Sequence, residues 1–255
     1  MKKISFKKFP IVCLTAYNKY FAEIIDNYCD LILVGDSMGM AYYGDNNTRH
    51  ISLNTIIRHS KSVRKGVKNS ILVVDMPFGT YNNLTQAKKN ALKILKETKC
   101  DAVKLEGGKE ISKIVHHLVK NNIQVMGHIG LLPQKIKSKK GYKVLGKTNQ
   151  EKNKILSDFI SIENAGAFSI VVEAVKENLA QKILSKSNIP VIGIGASKIC
   201  DGQILVLEDM LGLFDRVPKF VKKYSNLRIE IKKAVKKYSQ DIKNGRFPTK
   251  KNIYY

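Results

Sequence analysis

The chain has few of the features that mark secreted, membrane-bound or zinc-binding proteins. Its four cysteines, Cys13, Cys29, Cys100 and Cys200, form no Cys-x-x-Cys pair, so neither a disulfide framework nor a zinc site is indicated. No apolar run approaches the ~20 residues of a membrane span, and the apolar run near the start is too short for a signal peptide. We therefore expect a cytoplasmic protein in which Cys13 and Cys100 are buried thiols.

The chain also has no tryptophan and few acidic residues. Its 21 Asp and Glu against 45 Lys and Arg give a formal net charge of +24. Such an excess invites a nucleic-acid-binding hypothesis. However, the lysines are spread over nearly every predicted helix, without the arginines and stacking aromatics of a phosphate-binding face. We interpret the charge as a solvated lysine-rich surface and expect neither nucleic acid nor membrane as a partner, with nucleic-acid binding as the alternative.

The length and composition favour one domain. The chain has 255 residues, 44% of them hydrophobic, with six prolines and no Pro/Ser-rich linker. A (β/α)₈ barrel needs ~250 residues. We therefore expect a single domain over residues 1–255, ending in a helix over residues 226–244.

Short apolar runs recur between helical patterns, and the polar residues at their ends are the main clue to function. Runs of this length predict buried parallel strands. Seven or eight strand–helix repeats with polar residues at the carboxyl ends predict a single α/β (β/α)₈ TIM barrel, with an open doubly wound sheet as the alternative. The residues at the run ends are Asp36, Asp75, Lys104, Glu106, His128 and Glu173.

Two carboxylates on neighbouring predicted strands indicate a cation site. Asp36 and Asp75 would repel each other unless a positive charge lies between them. A hard divalent cation held by carboxylates, water and substrate oxygens meets that need, and Glu106 on the next strand is a natural third ligand, directly or through water. The alternative is that each Asp caps the turn that follows it.

The other strand-end residues suggest substrate binding and proton transfer. Lys104 and Glu106 alternate with apolar residues and so point the same way; a buried Lys would stay charged and bind an anionic substrate, unless the two form only a structural pair. His128 either orients a substrate oxygen or is a core histidine. Glu173 lies away from the proposed metal carboxylates and is the candidate general base. This arrangement predicts proton abstraction next to a carbonyl, with the metal and Lys104 stabilising the enolate oxygens.

A series of short strings, in order along most of the chain, carries a resemblance to a known family. They are Leu14–Tyr17, Leu33–Gly39, Asp75–Phe78, Val103–Gly108, Gly127–Leu131, Gly141–Val144, Glu173, Ile189–Ala196, Asp201–Leu205 and Pro218–Phe220. Together they resemble the ketopantoate hydroxymethyltransferase family, also called 3-methyl-2-oxobutanoate hydroxymethyltransferase.

The resemblance implies an activity and a set of residue roles. The family transfers a hydroxymethyl group from methylenetetrahydrofolate to 2-oxo-3-methylbutanoate, giving ketopantoate for pantothenate biosynthesis. It implies one Mg²⁺ ion per subunit and a cytosolic homo-oligomer, commonly a decamer. By motif, Asp36, Asp75 and Glu106 take the places of the metal ligands, and Glu173 that of the proton acceptor. The oxoacid-binding places fall on Asp36, Ser37, Asp75 and Lys104.

Three positions depart from the family's usual pattern, and two other functions stay open. Leu132, Ser197 and Arg216 replace the family's usual residues, and we expect them to affect folate contacts or subunit packing rather than the type of reaction. A related barrel lyase or aldolase acting on another 2-oxoacid is a second hypothesis, although no obvious catalytic Cys lies in a lid loop. Nucleic-acid binding is the third.

Overall fold

Eight parallel strands close into a barrel in the order of the sequence. This is the arrangement in the computed structural model, which describes residues 4–6, 9–137 and 142–255. The closure pairs β1 with β8 and confirms the predicted TIM barrel over an open sheet. The strands are β1 Ile11–Thr15, β2 Leu31–Val34, β3 Ile71–Asp75, β4 Ala102–Glu106, β5 Val125–Gly130, β6 Ser169–Glu173, β7 Val191–Ile194 and β8 Gly202–Leu205.

Helices alternate with the strands, and side-chain caps begin several of them. Asn18, Ser52, Asn83 and Thr148 each accept a hydrogen bond from a backbone N–H of the first helical turn, which satisfies a donor with no partner inside the helix. The helices are α1 Lys19–Ile25, α2 Met38–Tyr42, α3 Leu53–Arg64, α4 Leu84–Thr98, α5 Ser112–Lys120, α6 Asn149–Asn164, α7 Glu177–Leu184, α8 Leu207–Met210 and α9 Leu227–Lys243.

The alternation of side chains along each strand positions the site. One buried cluster takes residues from all eight strands, often at every second position, as the inward-facing side chains of a barrel do. Two residues further along the same faces, the apolar side chains give way to charged ones. The apolar-to-polar steps are Val73 to Asp75, Ala102 to Lys104 and Glu106, Met126 to His128, and Val171 to Glu173.

The chain divides into two compact units, Met1–Val206 with the barrel and Leu207–Tyr255 with α8 and α9. In the second unit, no residue of α9 is buried. The helix lies where the sequence predicted one, and the single-domain organisation stays a prediction.

Three smaller observations complete the fold. All four cysteines are buried and free, which confirms the expectation for Cys13 and Cys100. Within the described ranges, the helices are too short or too polar to cross a membrane. Gly141 of the Gly141–Val144 string lies outside the described residues.

Candidate active site

The strand register brings the predicted site residues together in two adjacent pairs and one neighbour. Asp75 on β3 lies opposite Lys104 on β4, and Glu106 on β4 lies opposite His128 on β5. Glu173 ends β6, the next strand of the barrel. The consecutive strands β3 to β6 therefore supply these charged groups at their carboxyl ends.

Asp36, Asp75 and Lys104 form the first half of this cluster. The Lys104 Nζ donates to Asp75 Oδ1 at 2.5 Å, and the backbone N–H of Asp36 donates to Asp75 Oδ2 at 3.0 Å. Lys104 and Asp75 are almost fully buried, with 4% and 3% of their side chains exposed. Both oxygens of Asp75 therefore have a donor, and the ammonium group is fixed at the mouth of the barrel.

The pKa values show that negative charge is crowded here. Burial, and then the charges of Asp75 and Glu106, raise the pKa of Asp36 well above its usual range. Burial also raises the pKa of Asp75, although Lys104 opposes the shift. For Lys104, burial lowers the pKa, but the carboxylates of Asp75, Glu106 and Asp36 outweigh it and raise the pKa above its usual value. Lys104 is therefore charged, as the sequence predicted. The negative charge around Asp36 exceeds what the single ammonium group of Lys104 neutralises.

His128 links the first half of the cluster to Glu173. Its Nδ1 lies 3.5 Å from Glu106 Oε1, and its Nε2 lies 3.2 Å from Glu173 Oε2. Neither contact has the full geometry of a hydrogen bond, but both place a carboxylate within 3.5 Å of a ring nitrogen. Burial lowers the pKa of His128, but Glu106 and Glu173 outweigh it and raise the pKa to about 9. The ring is therefore an imidazolium near neutral pH. From the sequence alone, His128 could have been either a substrate-orienting residue or a histidine of the hydrophobic core.

The backbone around Glu173 is unusual on both sides. Opposite it, Gly130 has φ +87°, and a Cβ there would lie 2.4 Å from the carbonyl oxygen of Glu173. The next residue, Ala174, has φ +48°, a left-handed conformation that a residue with a Cβ rarely adopts. Its N–H donates to Ile194 O at 2.9 Å, and its carbonyl accepts from Leu145 N at 2.8 Å. Strain of this kind is concentrated at functional sites, and here it lies directly after Glu173.

Ser37 is the predicted site residue with the least direct link to the cluster. It precedes α2, and its Oγ lies 2.8 Å from the hydroxyl of the buried Tyr17. A Cβ at Gly35 would lie 2.8 Å from that Oγ and 3.4 Å from Asp75 Oδ2. The absence of a side chain at Gly35 therefore leaves room for the Ser37 hydroxyl beside the carboxylates.

Three residues that the sequence analysis did not select also belong to the site. Gln134 contacts Asp36 and Glu106, and Tyr81 contacts Gln134. Burial, and then the charge of Glu173, raise the pKa of Tyr142 to about 12, and its hydroxyl donates to Met40 Sδ at 3.3 Å. Tyr142 lies in a string that resembles the family, which was the one signal for it; Gln134 and Tyr81 are uncharged loop residues with no signature of their own.

The oxygen donors at the strand ends suit a hard divalent cation. In the part of the chain that the structure describes, no group of three or more His, Cys, Asp or Glu side chains is arranged to hold a metal ion. Mg²⁺ usually takes only one or two carboxylates, and water and substrate complete its octahedron. Asp36, Asp75 and Glu106 offer oxygen donors of that kind, and the raised pKa of Asp36 marks an excess of negative charge. The residues therefore fit such an ion.

The positions that depart from the family's pattern lie outside the charged cluster. Ser197 is buried; its Oγ donates to Glu177 Oε1 at 3.3 Å and accepts from Ile199 N at 3.3 Å. Leu132 precedes the short 3₁₀ helix Pro133–Lys135, which carries Gln134. Arg216 lies in the second unit.

The closed parallel barrel with charged residues at the ends of its strands defines a (β/α)₈ barrel enzyme. Solved structures share this fold at low sequence identity. A phosphonopyruvate hydrolase complex with oxalate and Mg²⁺ is 11% identical with a TM-score of 0.62, over 95% of this chain and 88% of that one. A 2,3-dimethylmalate lyase of the PEP mutase/isocitrate lyase superfamily is 10% identical with a TM-score of 0.62, over 97% and 84% of the two chains.

Sequence comparison gives the particular family. Residues 1–250 match the family described as ketopantoate hydroxymethyltransferase. The 3-methyl-2-oxobutanoate hydroxymethyltransferase of Pelagibacter ubique is 50% identical, over 97% of this chain and 95% of its own. That of Phenylobacterium zucineum is 48% identical, over 96% and 90%. The chain therefore belongs to the ketopantoate hydroxymethyltransferase family, the enzymes of the ketopantoate-forming step of pantothenate biosynthesis. The first of the three functional hypotheses is confirmed.

Proposed function

We propose that this enzyme removes the C3 proton of 2-oxo-3-methylbutanoate with Glu173 and adds the resulting carbon nucleophile to a one-carbon unit from methylenetetrahydrofolate. The observation that carries the proposal is the chain of contacts from Asp36 through Asp75 and Lys104, and from Glu106 through His128 to Glu173. This arrangement combines the carboxylates of Asp36, Asp75 and Glu106, which suit a cation, with the separate carboxylate of Glu173, which is available for proton transfer.

The cation would be held by Asp36 and Asp75, with Glu106 as a direct or water-mediated third ligand. When bound, a Mg²⁺ ion would supply positive charge to the oxygens of the 2-oxoacid as the proton leaves. The same residues would then contact the substrate through the ion. Support comes from the oxygen-only donors and the crowded negative charge around Asp36.

Lys104 and His128 would provide the remaining positive charge for the substrate. Lys104 is held by Asp75 and buried, so its ammonium group is desolvated and its attraction to a carboxylate or keto oxygen is strong. His128 lies between two carboxylates, where its imidazolium fixes the orientation of the Glu173 side chain. Ser37 would donate to a substrate oxygen from beside Asp75.

Glu173 would act as the general base. It is the most exposed member of its contact pair, with 12% of its side chain accessible against 4% for His128, so a substrate can reach it from the barrel mouth. Its carboxylate would take the proton from C3, a C2–C3 double bond would form, and the electron pair would move to the keto oxygen. C3 would then form a bond to the one-carbon unit, whose two C–N bonds to the folate would break to leave tetrahydrofolate. Water would supply the hydroxyl group of the product, and the C3 proton and the second proton of that water would end on the two folate nitrogens.

We also propose that the protein works as a cytoplasmic homo-oligomer, commonly a decamer in the family it resembles. Light scattering coupled to size-exclusion chromatography at several protein concentrations measures this directly. A monomer at all concentrations would contradict the proposal.

The half-reaction can be tested without the one-carbon donor. The protein is incubated with 2-oxo-3-methylbutanoate in D₂O, with Mg²⁺ or with a chelator, and the C3 proton signal is followed by NMR. We expect exchange that requires the metal. Exchange that is equally fast with chelator would remove the cation from the proposal, and product formation without methylenetetrahydrofolate would remove that donor.

Two substitutions separate the roles of the residues. Glu173→Gln should abolish exchange, while the affinity for the oxoacid, measured by calorimetry, stays close to that of the wild type. The control is Glu23→Gln on α1, where the glutamate is exposed and its ion pair with Lys19 is long, at 3.8 Å. Asp75→Asn should weaken metal-dependent oxoacid binding. Full exchange by the Glu173 variant would show that another group is the base, and unchanged binding by the Asp75 variant would return that residue to a structural role.

A further inference from the structure

Gln134 is the residue through which two of the charged strand ends are joined. It lies in the 3₁₀ helix Pro133–Lys135, in the loop that follows β5, and only 2% of it is exposed. Its Nε2 donates to Asp36 Oδ2 at 2.7 Å, and its backbone N–H donates to Glu106 Oε2 at 3.0 Å. One residue therefore contacts both carboxylates, which otherwise repel each other.

The partners of Gln134 also determine which way its amide points. The Nε2 faces two groups that can only accept, the Asp36 carboxylate and the carbonyl of Met76 at 3.0 Å. On the other side, the hydroxyl of Tyr81 donates to Oε1 at 2.5 Å; its second acceptor, the backbone carbonyl of Glu106, is farther away at 3.2 Å. The backbone carbonyl of Gln134 accepts from Arg49 Nη1 at 3.0 Å. With every polar group satisfied, the amide has one orientation and cannot flip without losing hydrogen bonds.

Three hydrogen bonds of Gln134 converge on the charged strand ends. They connect the residues that follow β2 and β3 with the end of β4. Each of the two carboxylates gives one oxygen to Gln134. Gln134 thereby sets the positions of the two carboxylates relative to each other before any ligand binds. Hydrogen-bond partners of metal ligands commonly orient the ligands in this way.

We propose that Gln134 is a positioning residue that presets Asp36 and Glu106 for the divalent cation, and that Tyr81 acts on the site through it. This inference rests on the proposed function, because it takes those carboxylates to be ligands. In this role Gln134 acts through Asp36 and Glu106 and not on the substrate itself.

The test measures Mn²⁺ binding rather than turnover. Mn²⁺ prefers the same oxygen donors as Mg²⁺ and gives an electron paramagnetic resonance signal when free. Gln134→Met keeps most of the side-chain volume and removes the side-chain amide, so the contact to Asp36 is lost while the backbone N–H still donates to Glu106. We expect its dissociation constant for Mn²⁺ to be about 10- to 100-fold higher than that of the wild type, the usual effect of losing such a partner. The control is Gln181→Met on α7, an exposed glutamine that should bind as the wild type does.

A second pair of variants guards against simple misfolding. Tyr81→Phe keeps Gln134 and removes only the hydroxyl, so it should weaken Mn²⁺ binding by a smaller factor. The double variant should bind within about twofold of Gln134→Met, because the contact that Tyr81 then keeps is to the backbone carbonyl of Glu106 and not to a carboxylate. A role in stability alone would lower the melting temperature of the variants and leave the dissociation constant of the folded protein unchanged.

The outcomes are distinguishable from failure of the proposed function. If wild type and Gln134→Met bind Mn²⁺ within twofold of each other, the positioning role is wrong and the rest of the mechanism stands. If Tyr81→Phe and Gln134→Met weaken binding independently, Tyr81 does not act through Gln134. If the wild type binds no Mn²⁺ while it still forms product, the cation assignment fails and this inference fails with it.

Discussion

Replacing Lys104 with Met should destabilise the protein strongly, because it leaves a buried carboxylate without its cation. The Lys104 Nζ and Asp75 Oδ1 are 2.5 Å apart, with 4% and 3% of the two side chains exposed. At an effective dielectric constant of ~20, two unit charges at that separation attract by about 7 kcal/mol before desolvation is counted. Removing one partner of such a buried pair costs about 3–5 kcal/mol, because Asp75 would then face Asp36 and Glu106 without compensation.

Thermal unfolding followed by circular dichroism measures this loss, since the chain has no tryptophan for fluorescence. For a protein of this size, about 3–5 kcal/mol corresponds to a fall in Tm of roughly 6–20 °C. The matched control is Lys61→Met. Its ion pair with Glu97 has the same 2.5 Å separation, but 49% and 33% of those side chains are exposed, so water screens it and the fall should be far smaller.

The double variant Lys104→Met/Asp75→Asn should be more stable than Lys104→Met alone, because neither charge is then buried unpaired. Two results would refute the reasoning. One is a Tm for Lys104→Met no lower than that of Lys61→Met. The other is a double variant as unstable as the sum of the two single changes.

Three further predictions concern stability. Gly130→Ala should lower Tm more than Gly79→Ala, since both glycines have positive φ but only at Gly130 would the Cβ meet backbone, 2.4 Å from Glu173 O; equal losses would contradict this. Burial raises the pKa of Asp26, but hydrogen bonds from three backbone N–H groups outweigh it and lower the pKa. Asp26→Ala should therefore reduce the free energy of unfolding by about 1–3 kcal/mol at pH 7. The difference in stability from the wild type should shrink as the pH falls below the ordinary Asp pKa of 3.8. The pKa of His128 is raised from 6.5 to about 9, so the charged ring contributes fully to stability below pH 6.5, and this contribution is lost as the pH rises through 9. Between these pH values, the Tm of the wild type should fall more than the Tm of His128→Gln. Equal falls in Tm would refute the prediction.

The sequence predicted the barrel and the charged cluster because both follow from local pattern. Apolar runs of four or five residues define buried strands, and alternation along a strand carries Asp75, Lys104, Glu106 and His128 to the same end of the barrel. The registers of β4 with β5 and of β5 with β6 form between strands separated along the chain, so the contacts of His128 with Glu106 and Glu173 could not be read from spacing.

Gln134 shows why the remaining part of the site could not be predicted. An uncharged amide in a loop carries no periodic signal, and its partners Asp36 and Tyr81 are 98 and 53 residues away in the sequence. Its role depends on where a loop after β5 settles relative to the ends of β2 and β3. Only the folded chain brings these groups within hydrogen-bonding distance.

The charge of the whole molecule and the charge of the site have opposite signs, and this bears on the order of binding. The formal net charge of +24 attracts anionic substrates such as a 2-oxoacid to the surface, but that attraction is screened beyond ~8 Å at physiological salt. At the barrel mouth, the anion instead meets Asp36, Asp75, Glu106 and Glu173, with only the side chains of Lys104 and His128 as buried cations within the cluster described above. On the proposed function, the oxoacid would be repelled there unless a divalent cation enters before it or with it. On that proposal, the excess of carboxylates would make substrate binding depend on the metal, while the lysine-rich surface would raise the local concentration of the substrate without selecting it.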